Sequence, residues 1–203
     1  ACLRAGVDRL VYTSSIHALV EPPEGVVIDE SMPCDPGQIK MAYSKSKAKG
    51  TLRVLDVMSE GLDAVIVMPT GIIGPNDYKP SETGRLIIDY ALGKIPARVT
   101  GGYDFVDVRD VANGHILAAE KGKPGEKYIL SGEWISMDEI MKVISLAASV
   151  RFPRLKVPVG VASALAAVFT GYSALTGKSV LLNRDSVDTL KSNSAISSAK
   201  ARE

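Results

Sequence analysis

An apolar run, Leu62-Asp-Ala-Val-Ile-Val-Met-Pro69, follows a glycine, closes on a proline and is rich in β-branched residues. A short continuous run of this kind is typical of a parallel strand buried on both faces. A second run, Leu10-Val-Tyr-Thr13, has the same character and ends in the small hydroxyl residues Ser14 and Ser15. We therefore predict strands at residues 62–68 and 10–13.

A helical segment separates these two strands. It follows a loop rich in proline and glycine, covers residues 41–60 and is followed by Gly61, which is placed as a C-terminal cap. A strand, a helix and a second strand in this order indicate a βαβ unit. The fold class is therefore α/β, with a doubly wound parallel sheet.

Beyond Gly74 the alternation of helices and strands is less regular. Ser136 and Glu139 fit a capping box, in which a serine hydroxyl and a glutamate carboxylate accept hydrogen bonds from the first amides of a helix. The predicted elements are a helix at 82–92, a strand at 103–108, a helix at 109–120, a strand at 127–130 and a capped helix that ends near residue 148.

Composition and charge exclude several classes of protein. Hydrophobic residues make up 46% of the chain and charged residues 23%, which is the usage of a folded globular protein. The 24 Lys and Arg residues against 23 Asp and Glu leave a net charge of +1, so no broad basic surface is available for nucleic acid. The two cysteines, Cys2 and Cys34, are too few for a disulfide framework or a zinc site, and they indicate a reducing, cytoplasmic location.

The segment 157–176 contains no charged residue and is long enough in principle to span a bilayer. Pro158, Gly160 and Gly171 interrupt it, and its apolar residues are mainly alanine and valine. We therefore predict a buried or partner-facing helix of a soluble protein. Contact with a membrane surface is the alternative.

The strongest chemical signal is Tyr43-Ser-Lys-Ser-Lys47 in the first predicted helix. Residues four apart project from one helical face, so the heads of Tyr43 and Lys47 can reach each other. A free phenol is a poor acid or base at neutral pH, but an adjacent ammonium stabilises its phenolate and makes Tyr43 a workable proton shuttle. A serine hydroxyl at the carboxyl end of a neighbouring parallel strand can bind the substrate oxygen as charge develops on it.

Four segments in a fixed order carry a family resemblance: Val11-Tyr-Thr-Ser-Ser15, Tyr43 with Lys47, Pro69-Thr-Gly-Ile-Ile-Gly-Pro75, and Phe105-Val-Asp-Val-Arg-Asp-Val-Ala112. In that order they resemble the extended short-chain dehydrogenase/reductase superfamily, also described as the NAD-dependent epimerase/dehydratase family. The resemblance covers nearly the whole chain. It implies a Rossmann-like fold and an NAD(P)-dependent oxidoreductase that transfers hydride between nicotinamide and a carbonyl or alcohol substrate.

The same resemblance implies roles for individual residues. Tyr43 would be the catalytic acid/base, Lys47 would favour its phenolate and hold the nicotinamide ribose, and Ser15 would orient the substrate oxygen. Ser14 is the fallback for Ser15. The residues implied to bind NAD or NADP are Thr13, Ser14, Tyr43, Lys47, Pro69, Thr70, Gly71 and Ile72. The candidate substrate contacts are His17, Ile73 and Tyr103, and for His17 the alternative is a solvated loop residue.

Two departures from the family pattern change what we expect. The family's Gly-rich fingerprint, which puts the pyrophosphate at a helix N-terminus, is missing from this sequence. We therefore expect a fragment that lacks the Gly-rich half, opens in mid-element at Ala1 and closes on an unfinished helix. Members that act on nucleotide-sugars usually carry an arginine where Tyr103 stands, so a charge-assisted clamp is lost. The sequence is nearest the dihydroflavonol reductase and 3β-hydroxysteroid dehydrogenase-like branch, and an apolar alcohol or ketone is the expected substrate.

These expectations divide the chain at residue 75. Residues 1–75 would form the C-terminal part of the NAD(P)-binding domain with the catalytic helix. Residues 76–203 would form mainly a smaller mixed α/β substrate-binding region, from which residues 99–121 return to the Rossmann-like core. Two alternative functions are an NAD-dependent epimerase or dehydratase acting on a sugar or sugar-nucleotide, and a non-catalytic dinucleotide-binding sensor. The resemblance also implies a homodimer through the helix that contains Tyr43.

Overall fold

The structure, a computed structural model, describes residues 1–23, 25–176, 187, 190 and 195–203. These residues divide into two compact units. The first unit holds residues 1–74, 104–133 and 195–203, and the second holds the described residues among 75–103 and 134–194. In chain order the elements are β1 (Leu10–Thr13), α1 (Ala42–Met58), β2 (Ala64–Pro69), β3 (Gly71–Ile73), α2 (Glu82–Ala91), β4 (Ala97–Val99), β5 (Gly102–Asp107), α3 (Val108–Lys121), β6 (Lys127–Leu130), β7 (Glu133–Ser136), α4 (Met137–Ala148), β8 (Leu155–Val157), α5 (Val159–Thr176) and α6 (Ala199–Arg202).

A parallel sheet with the strand order β1-β2-β6 forms the centre of the first unit. Thr13 at the end of β1 lies opposite Val67 in β2, and Ile66 lies opposite Lys127 in β6. Every residue of β2 is buried, as expected for the middle strand of a parallel sheet that is covered on both faces. The predicted α/β class with a parallel sheet is confirmed.

The side chains of β2 alternate between two hydrophobic clusters. Ile66 and Met68 pack in the cluster that contains Ala48 of α1, whereas Val65 and Val67 pack with Ala118 of α3. Successive side chains of a strand point to opposite faces of the sheet, so α1 and α3 cover opposite faces. This arrangement is the layering predicted for a doubly wound sheet.

One face of α1 is buried along its length. Its buried residues, Ser44, Ala48 and Thr51, follow the helical spacing of four and then three residues. The helix ends at Met58, two residues before the predicted end, and Gly61 adopts the left-handed conformation with φ of +104° just beyond it. The sequence pattern therefore identified the helix and its stop, although not its last turn.

Arg9 connects the start of β1 to α3 and to the start of β2. Its guanidinium donates to the carboxylate of Asp63 at 2.8 Å and to the carbonyl oxygens of Ala119 and Gly122, each at 3.0 Å. The last carbonyls of a helix have no partner within the helix, and a cation near them is favourable. The end of α3 is therefore held next to the beginning of β1.

The second unit contains the predicted capping box and the long apolar helix. The Ser136 hydroxyl accepts from the Glu139 amide, and the Glu139 carboxylate accepts from the Ser136 amide at 2.9 Å, so the box that starts α4 is confirmed. Within α5, Ala162 and Ala166 are buried with Val187. Among the described residues, no helix has the length and apolar character needed to cross a membrane.

Four short strands were not predicted from the sequence. In the first unit β3 pairs in parallel with β5, with Gly71 opposite Phe105, and in the second unit β4 pairs in parallel with β8. Another of them, β7, follows β5 in its sheet. Each of the four is only three or four residues long. Pairing with a partner strand, rather than a hydrophobic pattern of its own, defines each of them.

The close approach of α1 to β1 gives a stability prediction. A Cβ on Gly50 would lie 2.2 Å from the hydroxyl oxygen of Tyr12 but 3.4 Å from the ring carbon that carries it. We expect Gly50→Ala to lower the free energy of unfolding by about 1–2 kcal/mol, because overpacking outweighs the better helix propensity of alanine. The double variant Gly50→Ala/Tyr12→Phe should recover most of this loss, since the clashing oxygen is removed.

Urea unfolding of the variants measures this effect. Gly160 in α5 is the matched control, because a Cβ there would meet no atom within 4 Å. Gly160→Ala should leave the free energy of unfolding unchanged or raise it slightly. A Gly50→Ala variant as stable as the wild type would contradict the close packing of Gly50 on Tyr12.

His17 gives a prediction for the pH dependence of stability. It lies half-buried in the short 3-10 helix Ile16–Ala18, and burial lowers its pKa from the ordinary value of 6.5. As the pH falls below this value, the unfolded chain takes up a proton that the folded chain still excludes, so the free energy of unfolding falls. Urea unfolding between about pH 7.5 and pH 5 should show this loss, and His17→Gln should reduce it. An identical slope in the variant would show that His17 is not the group responsible.

Candidate active site

The predicted catalytic residues of the first unit meet at the carboxyl end of β1. The ammonium of Lys47 on α1 donates a hydrogen bond to the main-chain carbonyl of Thr13 at 3.0 Å. Ser14 and Ser15 follow Thr13 directly, and the Ser14 amide continues the pairing with β2 by donating to Val67. Ligands of open α/β sheets bind outside the carboxyl ends of the strands, so these residues lie where a ligand is expected.

Tyr43 and Lys47 occupy the flank of the buried face of α1. Each precedes a buried residue, Ser44 or Ala48, by one position. Successive residues of a helix are about 100° apart around its axis. Tyr43 is 52% exposed, and the Lys47 ammonium lies 5.9 Å from the centre of its ring. The phenol is therefore accessible to a ligand and lies within the range of a cation–π contact with the lysine.

The two serines after β1 differ in whether their hydroxyl proton is already donated within the protein. The Ser14 hydroxyl is buried and lies 2.6 Å from the Thr51 hydroxyl, which in turn donates to the carbonyl of Lys47 at 2.9 Å. Because the Thr51 proton is used in the second bond, Ser14 donates in the first. The Ser15 oxygen accepts from the His17 amide at 3.3 Å, a bond that leaves the Ser15 proton for another acceptor. This difference favours Ser15 over the fallback Ser14 as the group that binds a substrate oxygen.

The exposed side chain of Thr13 is held by a residue that the sequence analysis did not assign to the site. The Thr13 hydroxyl lies 2.7 Å from Nε2 of His115 on α3, and Nδ1 of the same ring lies 2.7 Å from the carbonyl of Val111. Thr13 and His115 are 102 positions apart in the sequence. Residues two apart in a strand share a face, and Val11 packs with Ala118 of α3, so Thr13 also lies on the face of the sheet that α3 covers.

The predicted cofactor segment after β2 continues from the strand next to β1. Pro69 ends the buried strand, and the Thr70 amide donates to the carbonyl of Leu130 at 3.1 Å. Gly71, Ile72 and Ile73 form β3, where the Ile72 side chain is 39% exposed. This segment therefore offers an accessible apolar side chain near the carboxyl end of β2.

Two of the predicted substrate contacts, His17 and Tyr103, belong to different units. His17 immediately follows the Ser15 loop as part of the 3-10 helix packed against α1. Tyr103 is the second buried residue of β5, after Gly102, and belongs to the second unit. The proposed substrate contacts of both residues stay predictions. Among the described residues, no group of three His, Cys, Asp or Glu side chains is arranged to hold a metal ion.

The polar groups at the end of β1 fit a ribose. The Lys47 ammonium has three protons, and its one hydrogen-bond partner among the described residues is Thr13. The accessible ring of Tyr43 lies 5.9 Å from this ammonium, and Thr13, whose carbonyl the ammonium binds, has an exposed side chain. The Tyr43 phenol and the Thr13 hydroxyl can each exchange hydrogen bonds with the hydroxyls of a sugar. An accessible apolar side chain, Ile72, follows the adjacent strand and suits a planar ring.

Comparison with known proteins supports a specific family. The sequence model of the NAD dependent epimerase/dehydratase family matches residues 1–131. A putative dihydroflavonol 4-reductase of Synechocystis sp. is 36% identical over 188 residues, which cover 91% of this chain and 55% of that protein. Sterol demethylase protein B of Methylococcus capsulatus is 38% identical over 155 residues, which cover 76% of this chain and 47% of that protein. The chain spans about half the length of these curated relatives.

Solved structures agree with this result. The crystal structure of gox2253 is similar with a TM-score of 0.80 and 37% identity, over 98% of this chain and 61% of that one. A nucleoside-diphosphate-sugar epimerase from Pseudomonas aeruginosa has a TM-score of 0.74 and 26% identity, over 99% of this chain and 65% of that one. These similarities confirm the predicted Rossmann-like fold. Together with the family match over more than half of the sequence, they establish that the chain belongs to the NAD-dependent epimerase/dehydratase family.

Proposed function

We propose that the protein containing this chain is an NAD(P)-dependent oxidoreductase that interconverts a carbonyl and an alcohol, with Ser15, Tyr43 and Lys47 as its catalytic residues. The observation that carries the proposal is the position of Lys47, whose ammonium binds the end of β1 beside the accessible ring of Tyr43. A lysine whose only role was to face solvent on the helix surface would not be expected to bind the main chain of β1. The reductase name of the Synechocystis relative supports the same reaction class.

The cofactor we propose is NAD or NADP, the nucleotide class in the family's name. Lys47, Tyr43 and Thr13 would hold the nicotinamide ribose, and Ile72 would contact the nicotinamide ring. The bound nicotinamide supplies the hydride donor for reduction and the hydride acceptor for oxidation. The chain's own residues must then bind the substrate oxygen and move one proton.

Tyr43 carries that proton in the proposed mechanism. During reduction the carbonyl carbon receives hydride, negative charge grows on the carbonyl oxygen, and the Tyr43 hydroxyl donates its proton to this oxygen. The Ser15 hydroxyl donates a hydrogen bond to the same oxygen and stabilises the charge as it develops. The Lys47 ammonium stabilises the phenolate that remains on Tyr43. During oxidation the phenolate takes the proton from the alcohol, and each step runs in reverse.

The substrate class we propose is an apolar ketone or alcohol. Tyr103 stands where sugar-nucleotide enzymes of the family usually have an arginine, so a diphosphate would lack its charged partner at that position. Two relatives have names that fit an apolar substrate, the Synechocystis reductase and a 3beta-hydroxysteroid-dehydrogenase/decarboxylase of Arabidopsis thaliana, which is 29% identical.

Substitution of the catalytic pair tests the proposal. In the natural protein that contains this chain, we expect Tyr43→Phe and Lys47→Met each to lower kcat about 10²- to 10⁴-fold, because the proton transfer loses its donor or the phenolate its partner. The matched controls are Tyr78→Phe, at a tyrosine that is 89% exposed, and Lys49→Met, at an exposed lysine of the same helix. Controls with wild-type turnover and unchanged circular dichroism of all variants would assign the loss to chemistry. Wild-type activity of Tyr43→Phe would refute the assignment.

A second candidate, an epimerase or dehydratase, is supported by the similarity to the Pseudomonas aeruginosa epimerase. Such an enzyme regenerates its nicotinamide in every cycle, whereas a reductase consumes one NAD(P)H for each carbonyl reduced. We expect added NADH or NADPH to be oxidised in proportion to the alcohol formed from an apolar ketone, followed by absorbance and product analysis. Sugar-nucleotide conversion without net oxidation would favour the epimerase. Nucleotide binding without turnover in either assay would favour a sensor.

A further inference from the structure

We propose that His115 orients the hydroxyl of Thr13 so that it accepts a hydrogen bond from the nicotinamide-ribose half of the cofactor. This inference rests on the proposed function, and it adds a positioning residue from α3, the helix on the opposite face of the sheet from Tyr43 and Lys47. The geometry consists of two hydrogen bonds of 2.7 Å, one from each ring nitrogen of His115.

The first of these bonds determines which nitrogen of His115 carries the proton. Nδ1 faces the carbonyl oxygen of Val111, and a carbonyl oxygen can only accept. Nδ1 therefore donates. In the neutral ring the other nitrogen, Nε2, has no proton and can act only as an acceptor.

The second bond then determines the direction of the Thr13 hydroxyl. Nε2 lies 2.7 Å from the Thr13 oxygen, so the hydroxyl donates its single proton to the ring. Only the lone pairs of the oxygen are left for a ligand. Because Thr13 is exposed, they can accept a hydrogen bond from an incoming hydroxyl or amide.

The neighbouring Lys47 makes this polarity useful for recognition. Its ammonium can only donate, and it is bound to the carbonyl of the same Thr13 residue. A sugar hydroxyl both donates and accepts, so a donor on Lys47 and an acceptor on the residue to which Lys47 is bound are complementary to the hydroxyls of a ribose. A hydroxyl that rotated freely would lose part of this complementarity, because ligand binding would have to fix its direction.

Nitrogen NMR of the histidine side chains tests the polarity without any cofactor. The chain contains two histidines, and loss of a signal in His115→Gln assigns the spectrum. At a pH where both rings are neutral, we expect His115 to carry its proton on Nδ1 alone. A ring protonated on Nε2, or a mixture of the two forms, would overturn the proposal, because Thr13 would then accept from His115.

Titration with reduced nicotinamide mononucleotide tests the role in binding. This probe contains the ribose and nicotinamide that the site is proposed to hold and one phosphate, without the adenosine half of the cofactor. We expect Thr13→Ser, which keeps the hydroxyl, to bind within about twofold of the wild type, and Thr13→Val to bind about five- to tenfold more weakly. The Nε2 signal of His115 should shift on titration of the wild type and of Thr13→Ser. Wild-type affinity in Thr13→Val would overturn the proposal.

A double-mutant cycle separates positioning from a purely structural contact. We expect His115→Leu to weaken binding about threefold in the wild type and to have no further effect in Thr13→Val, since the hydroxyl it orients is already gone. Additive losses would mean that His115 acts on the site in another way and would contradict the proposal. If the wild type shows no nucleotide-dependent shift at all, the cofactor part of the proposed function fails together with the ligand role of Thr13. The histidine spectrum still decides the hydrogen-bond direction in that case.

Discussion

Burial of β2 on both faces is the constraint from which the arrangement of the site follows. A parallel strand whose side chains alternate between two clusters needs a helix on each face, and α1 and α3 supply them. Thr13, the last residue of the neighbouring strand β1, lies opposite Val67 of β2. Groups from both helices can therefore reach the same residue, Lys47 from one face and His115 from the other.

Hydrogen-bond direction is the second property that organises this end of the sheet. The hydroxyls of Ser14 and Thr51 both donate towards the carbonyl of Lys47, so the buried polar groups form a chain that ends on the main chain of α1. Buried groups satisfied in this way have no proton to offer a ligand. The groups that keep a proton for a ligand are the buried Ser15 hydroxyl, the exposed Tyr43 phenol and the Lys47 ammonium.

The sequence predicted those parts of the molecule that depend on neighbouring residues. The bounds of β1 and β6 match the predicted ones, because each is a short apolar run next to a turn. Likewise α4 begins at its predicted capping box. Tyr43 and Lys47 lie close together, as predicted, because they are four residues apart in one helix. The strands β3 and β8 escaped prediction because a distant strand defines each of them.

For the candidate site, sequence reasoning named most of the residues, and the family resemblance alone put Ser15 before Ser14. The choice between Ser14 and Ser15 depends on Thr51, which lies 37 positions from Ser14 and whose proton is already used. His115 lies on α3, 102 positions from Thr13 in the sequence, and only the folded sheet brings the two residues together. Contacts between elements that are far apart in the sequence carried the information that local patterns lacked.

The hydrogen bonds of Arg9 and Thr13 fix the register between β1 and α3. The beginning of the strand is bound to Ala119 and Gly122 near the end of the helix, and the end of the strand is bound to His115 earlier in it. A slide of one residue, about 1.5 Å along the helix, would misalign both contacts together. The exposed residues Ile116 and Leu117 of α3 take part in neither contact, so their substitution would leave both attachments of the helix in place. Substitutions on this surface would therefore leave the geometry at the carboxyl end of β1 unchanged.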